Sequence, residues 1–170
     1  TTAADATVYL ASRRAGLPVA LWRAWQGARR EGSVSWFPAG GATPLAVLGS
    51  VNAALELSTQ LPPTQPKPGA VVVPLGSGGT AAGLLLGMWL AGWPVDIVAV
   101  RVTDPWFASR RRVLSLVRRT AALLARYGCR VPGGVARLRI IPDELGGGYG
   151  YPTERGQHAR DRFAEAGLTL

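Results

Sequence analysis

Apolar residues in this chain fall into short blocks divided by glycine, proline and arginine, and the blocks alternate in kind. Ala70-Val71-Val72-Val73-Pro74-Leu75 is continuously apolar, the pattern of a strand buried on both faces. Val95 to Val102 predicts a second buried strand, and Arg137 to Ile141 a third. Between them lie two helical patterns. One, from about Thr80 to Ala91, is apolar all round, as a buried helix is. The other opens at Asp104-Pro105 and runs to about Tyr127. On it Val113, Leu116, Val117, Leu124 and Tyr127 share a face, opposite Arg111, Arg118, Arg119 and Arg126.

Upstream, Thr43-Pro44 predicts a helix start, because threonine can cap free amides and proline suits the first helical position. That helix runs to about Leu57. Residues 59–69 hold four prolines and predict an exposed connection. A glycine-rich loop from Gly146 to Gly150 leads to a last helix from about Thr153. The first 37 residues are less patterned: Ala3 to Ala15 predicts a helix ended by Gly16, and Val19 to Trp22 and Ser33 to Phe37 predict short strands. Strand, helix, strand, helix, strand, helix predicts an α/β fold with a mainly parallel sheet and flanking helices. The pattern halts at Leu170 where a further strand is expected, so the chain reads as a piece of something longer.

Composition narrows the picture. With 170 residues, 48% hydrophobic and 17% charged, the chain suits one well-buried domain and not a disordered one. The formal net charge is +9, and Lys67 is the single lysine. The arginines are dispersed in doublets and a triplet, a distribution that fits genomic base composition better than a nucleic-acid patch. Cys129 is alone, which excludes a disulfide framework and a thiolate metal site and fits a reducing, cytoplasmic setting. It reads as structural. Lone His158 has no second ligand nearby, so no metal is expected. The uncharged run from Ala81 to Val95 is too short to span a bilayer. The six tryptophans are expected in the core or at a domain interface, and Asp143 and Glu144 in a solvated loop.

The chemistry concentrates at Gly76-Ser77-Gly78-Gly79-Thr80, between the first buried strand and its helix. Glycines there let amides approach a ligand, and a helix N-terminus presents unpaired N–H groups that favour an anion. Ser77 and Thr80 add hydroxyl donors. The turn therefore predicts a phosphate cradle. Gly76 to Ala81 also satisfies the dinucleotide pattern G-x-G-x-x-A, but Asp104 comes later than the roughly 20-residue offset of the ribose-binding acid. A nicotinamide-binding domain is thus one alternative, and a nucleic-acid module on the arginine helix another.

Four segments together resemble the 1-aminocyclopropane-1-carboxylate deaminase / D-cysteine desulfhydrase family of fold-type II pyridoxal-phosphate (PLP) enzymes. They are Pro38-Ala39-Gly40-Gly41-Ala42-Thr43-Pro44-Leu45, Val51 to Leu57, Val72 to Gly83, and Gly148-Tyr149-Gly150-Tyr151-Pro152-Thr153. The resemblance implies that residues 38–170 are an incomplete larger, PLP-binding domain and residues 1–37 a remnant of the smaller one. It implies that Gly76, Ser77, Gly78, Gly79 and Thr80 bind the PLP phosphate. Tyr149 matches the tyrosine beside the cofactor that assists proton transfer or orients the substrate carboxylate. It further implies a small amino-acid substrate, a homodimer as the intact enzyme, and no membrane or nucleic-acid partner. The chain departs from the family in three respects. The family's Schiff-base lysine lies in a segment absent here, and Lys67 sits in the proline-rich connection. The stretch that follows the last helix is missing. Ala42 and Gly49-Ser50 replace the family's usual serine and glycine-tyrosine pair, which leaves substrate choice open.

Overall fold

The computed structural model describes residues 7–62 and 64–168, and divides them into two compact units that meet in sequence at Phe37 and Pro38. In the first unit a 3-10 turn, Arg14–Gly16, leads into helix α1, Leu17–Glu31. The helix begins where one had been expected to end, and it absorbs Val19 to Trp22. Leu17, Leu21 and Trp25 recur every four residues, a helical spacing, and a proline in the first turn suits a helix start. No residue of α1 is buried, and Arg29 lies over the Trp25 ring at 4.6 Å. Residues 33–37 form no strand. The expected helix at 3–15 lies partly outside the described residues; those from 7 to 13 are not helical.

The second unit is a three-stranded parallel sheet in the order β1-β2-β3, made by Ala70–Leu75, Asp96–Arg101 and Arg137–Ile141. Helices α2 (Pro44–Gln60), α3 (Gly79–Leu90) and α4 (Arg110–Arg126) complete the core, and α5 is Glu154–Glu165. The cap expected at Thr43 forms, and the structure adds a second before α5. Thr43 Oγ1 accepts from the Ala46 amide at 3.2 Å, and Thr153 Oγ1 from the Gly156 amide at 3.0 Å. The Asp104-Pro105 expectation fails: the Asp104 carbonyl accepts from Phe107 and Ala108 in a local turn, and Ser109 caps α4 instead. Proline after aspartate serves a turn as readily as a helix start.

Burial of β1 also differs from expectation. Ala70, Val72 and Pro74 are exposed, whereas Val71, Val73 and Leu75 face the core. The two crossovers, β1-α3-β2 and β2-α4-β3, step across the sheet in one direction. Right-handed connections then lay α3 and α4 on the same face and leave the other open within the described residues. Pro74 does not interrupt the ladder, because Leu75 turns its carbonyl toward β2, where Val102 N–H donates to it. The neighbouring Pro74 therefore turns the opposite way, to the free edge.

Helix α3 is the centre of the core, buried continuously from Ala81 to Met88. It packs closely on α2 through Gly83 and Gly87. A β-carbon on these would approach the Val47 and Val51 carbonyl oxygens to 2.8 and 2.7 Å. On α4, Val113, Leu116 and Val117 are buried as predicted, Leu124 is half-buried, and Tyr127 is exposed. Of the tryptophans Trp93 is buried and Trp89 half-buried; Trp22, Trp25, Trp36 and Trp106 are exposed. Cys129 is exposed just beyond α4, so it has no packing role. No described helix is long and apolar enough to cross a membrane.

Candidate functional site

All three strands end at one edge of the sheet, the side on which open α/β folds receive ligands. From that edge β1 delivers Gly76, Ser77 and Gly78 into α3. Gly78 is the N-cap residue with φ of +88°, a left-handed conformation that L-residues with side chains resist. Its missing side chain would also point into α4, 3.1 Å from Val113 Cγ2. The turn is therefore pinned from below by the core. Above it, a β-carbon on Gly76 would meet nothing within 4 Å.

A second glycine turn closes on the first. Pro38 leads into a 3-10 turn, Ala39–Gly41, that precedes α2, and Gly40 (φ +68°) lies against Ser77. Ser77 Oγ is 3.5 Å from the Gly40 carbonyl, the long limit of a hydrogen bond, so its hydroxyl is free to turn to a better acceptor. Gly40, Gly41, Ala42, Ser77, Gly79 and Thr80 line a cleft of about 130 Å³, with Ser50 at its wall. Among the described residues, the amides of Ser77, Gly78 and Gly79 donate to no backbone or side-chain acceptor. Unpaired amides at a helix N-terminus, two hydroxyls and open space are the features of an anion site. A phosphate fits them.

Two of these features were not legible in the sequence. The packing of Gly40 against Ser77 joins residues 37 positions apart. Arg112, from the first turn of α4, donates its Nε–H to the Ser77 carbonyl at 3.1 Å. The glycine pair at 40–41 was a signal for the first; nothing local announced the second.

Tyr149 lies in the loop that leaves β3 at the same sheet edge, between Gly148 and Gly150, both of positive φ. It is 75% exposed and does not line the glycine cleft. Asp143 and Glu144 are tied to α5, through Arg155 to the Asp143 carbonyl at 3.1 Å and to the Glu144 carboxylate at 3.0 Å. Lys67 lies at the opposite edge, before β1, with Nζ 5.1 Å from the centre of the Trp93 ring. A six-residue strand separates it from the turn, about 20 Å at the usual rise. His158 is exposed on α5, and no metal-binding group of His, Cys, Asp and Glu exists among the described residues.

Residues 4–170 match the family model described as pyridoxal-phosphate dependent enzyme. D-cysteine desulfhydrase of Salmonella paratyphi C is 32% identical over 122 residues, which are 72% of this chain and 35% of that protein. A Thermotoga maritima protein provisionally named 1-aminocyclopropane-1-carboxylate deaminase is 34% identical over 119 residues, 68% of this chain and 35% of its own. A crystal structure of an "ACC deaminase homologue" superposes with a TM-score of 0.71 at 30% identity, over 96% of this chain and 48% of that one. The chain thus spans about a third of the curated relatives it matches, and about half of the structural one.

Proposed function

The chain belongs to the pyridoxal-phosphate dependent enzymes, and on that premise we propose that Gly76 to Thr80 holds the cofactor phosphate of a deaminase or desulfhydrase acting on a small amino acid. The observation that carries this reading is the run of unpaired amides at Ser77, Gly78 and Gly79, at the N-terminus of a buried helix and beside a cleft that Ser77, Gly79 and Thr80 line. Several amides converging on one dianion replace the water it loses, and the helix dipole adds to the attraction. Ser77 and Thr80 contribute a hydroxyl each.

PLP held there would supply an electron sink for the bond broken at the substrate α-carbon. The phosphate site fixes where its ring can lie. Tyr149 is proposed as the group that hands a proton to, or receives one from, the substrate: its loop leaves the same edge of the sheet, and a phenol can serve as acid or base. Lys67 is on the wrong edge to hold the cofactor covalently. The amine must come from elsewhere in the enzyme. Residues 38–170 are proposed as part of the larger domain, and the working form as a cytoplasmic homodimer.

Titration of the complete protein with PLP, followed by visible absorbance, tests the cradle. Ser77→Ala removes one hydrogen bond to a charged group, worth about 1.5–3 kcal/mol, and should weaken PLP binding about tenfold or more. Its unfolding midpoint should barely move, because the hydroxyl has only the 3.5 Å contact to lose. Equal affinity in parent and variant rejects the assignment.

A further inference from the structure

We propose that Arg112 is a positioning residue for the phosphate cradle, turning one cradle amide toward the ligand from a place behind the turn; this rests on the cradle assignment above. The side chain is held at two points: its guanidinium lies over the Phe107 ring at 4.4 Å, and its Nε–H reaches the Ser77 carbonyl at 3.1 Å. The backbone beneath it is fixed by the helix cap, the Arg112 amide donating to Ser109 Oγ at 3.3 Å. Stacking on a ring and a planar fork leave the guanidinium little freedom to leave that carbonyl.

The consequence follows from the peptide unit. No peptide bond described here is cis, so the Ser77 C=O and the Gly78 N–H point in opposite directions across one rigid plane. Arg112 stands on α4, the helix toward which the Gly78 β-position also points, and it does not line the cleft. Fixing the carbonyl on the α4 side turns the Gly78 N–H away from α4, to the side where Ser77, Gly79 and Thr80 line the cleft. Glycine at 78 would otherwise let this peptide rotate easily. A cationic donor on the oxygen also polarises the peptide and strengthens its N–H as a donor.

A carbonyl can instead be capped for stability alone, and α4 carries its own comparison. Arg110, two residues away, donates Nη1 to the Leu138 carbonyl at 2.7 Å, far along the sheet from the cradle. The test sets Arg112→Met beside Arg110→Met in the complete protein. PLP and inorganic phosphate are titrated, and the Gly78 amide is followed in glycine-labelled ¹⁵N spectra. Arg112→Met should weaken PLP and phosphate alike, by about tenfold, and should abolish the Gly78 shift on phosphate addition. Arg110→Met should leave both unchanged, whatever it does to the unfolding midpoint. Should Arg112→Met not fold, Phe107→Leu removes the stacking platform, and about a threefold loss of PLP affinity is expected. Parent-like PLP affinity in the folded variant, or an equal loss in Arg110→Met, overturns the proposal. A parent that binds no PLP fails the cradle itself, and this inference falls with it.

Discussion

Gly40 and Ser77 touch with no room for another atom: a β-carbon on Gly40 would lie 2.6 Å from both Cβ and Oγ of Ser77. Two glycine-bearing turns, one before α2 and one before α3, thus close on each other at the mouth of the cleft. The serine rotamer that a phosphate would meet is set by a residue that has no side chain.

Gly40→Ala should therefore disturb the cradle and not only the turn in which it sits. The methyl must displace Ser77, and φ of +68° strains any L-residue by about 1–2 kcal/mol. The expected outcome is a loss of PLP affinity larger than that of Ser77→Ala, together with a lowered unfolding midpoint. Binding titrations and thermal scans on the complete protein measure both. Parent-like affinity would show that the two turns are not coupled.

Gly83→Ala tests the α2–α3 contact. Alanine favours a helix interior over glycine by about 1 kcal/mol. Here its methyl would sit 2.8 Å from the Val47 carbonyl oxygen, which belongs to a helix backbone and cannot rotate away. Overpacking of this kind costs about 1–3 kcal/mol, so net destabilisation is expected. Urea unfolding provides the number, and a stabilised variant would contradict the close approach.

Lys67 should escape specific modification by the cofactor. Mixed with PLP and reduced with borohydride, this chain should yield no saturable adduct at Lys67, because the side chain is exposed, lies over Trp93 and stands a strand's length from the turn. Peptide mass spectrometry decides. Efficient labelling at low PLP would mean a second cofactor contact at that edge.

Tyr149→Phe separates chemistry from packing. The ring is 75% exposed, so folding stability should stay within about 0.5 kcal/mol of the parent. If the phenol moves a proton in the intact enzyme, kcat should fall by about 10²-fold or more with PLP affinity retained. Steady-state kinetics beside a PLP titration checks this, and an unchanged kcat removes Tyr149 from the site.

The sequence by itself determined what depends on neighbours along the chain. Threonine and proline before an apolar helix at 43, three apolar strands with helices between them, and glycines at the end of the first strand all act within a few residues. Each emerged where the pattern placed it. Local rules failed where two local answers were of similar energy. Asp104-Pro105 could open a helix or make a turn, and it made the turn because Ser109 capped α4 later. The apolar run of β1 could not reveal that alternate residues stay exposed among the described residues; that goes with two crossovers stepping the same way across the sheet, which the usual right-handed connection puts on one face. Only the tertiary structure brought Gly40 and Arg112 to Ser77, from 37 and 35 residues away. The position of each depends on how α2 and α4 pack against α3, and that packing is fixed by side-chain shape across the core, which has no period along the chain to betray it.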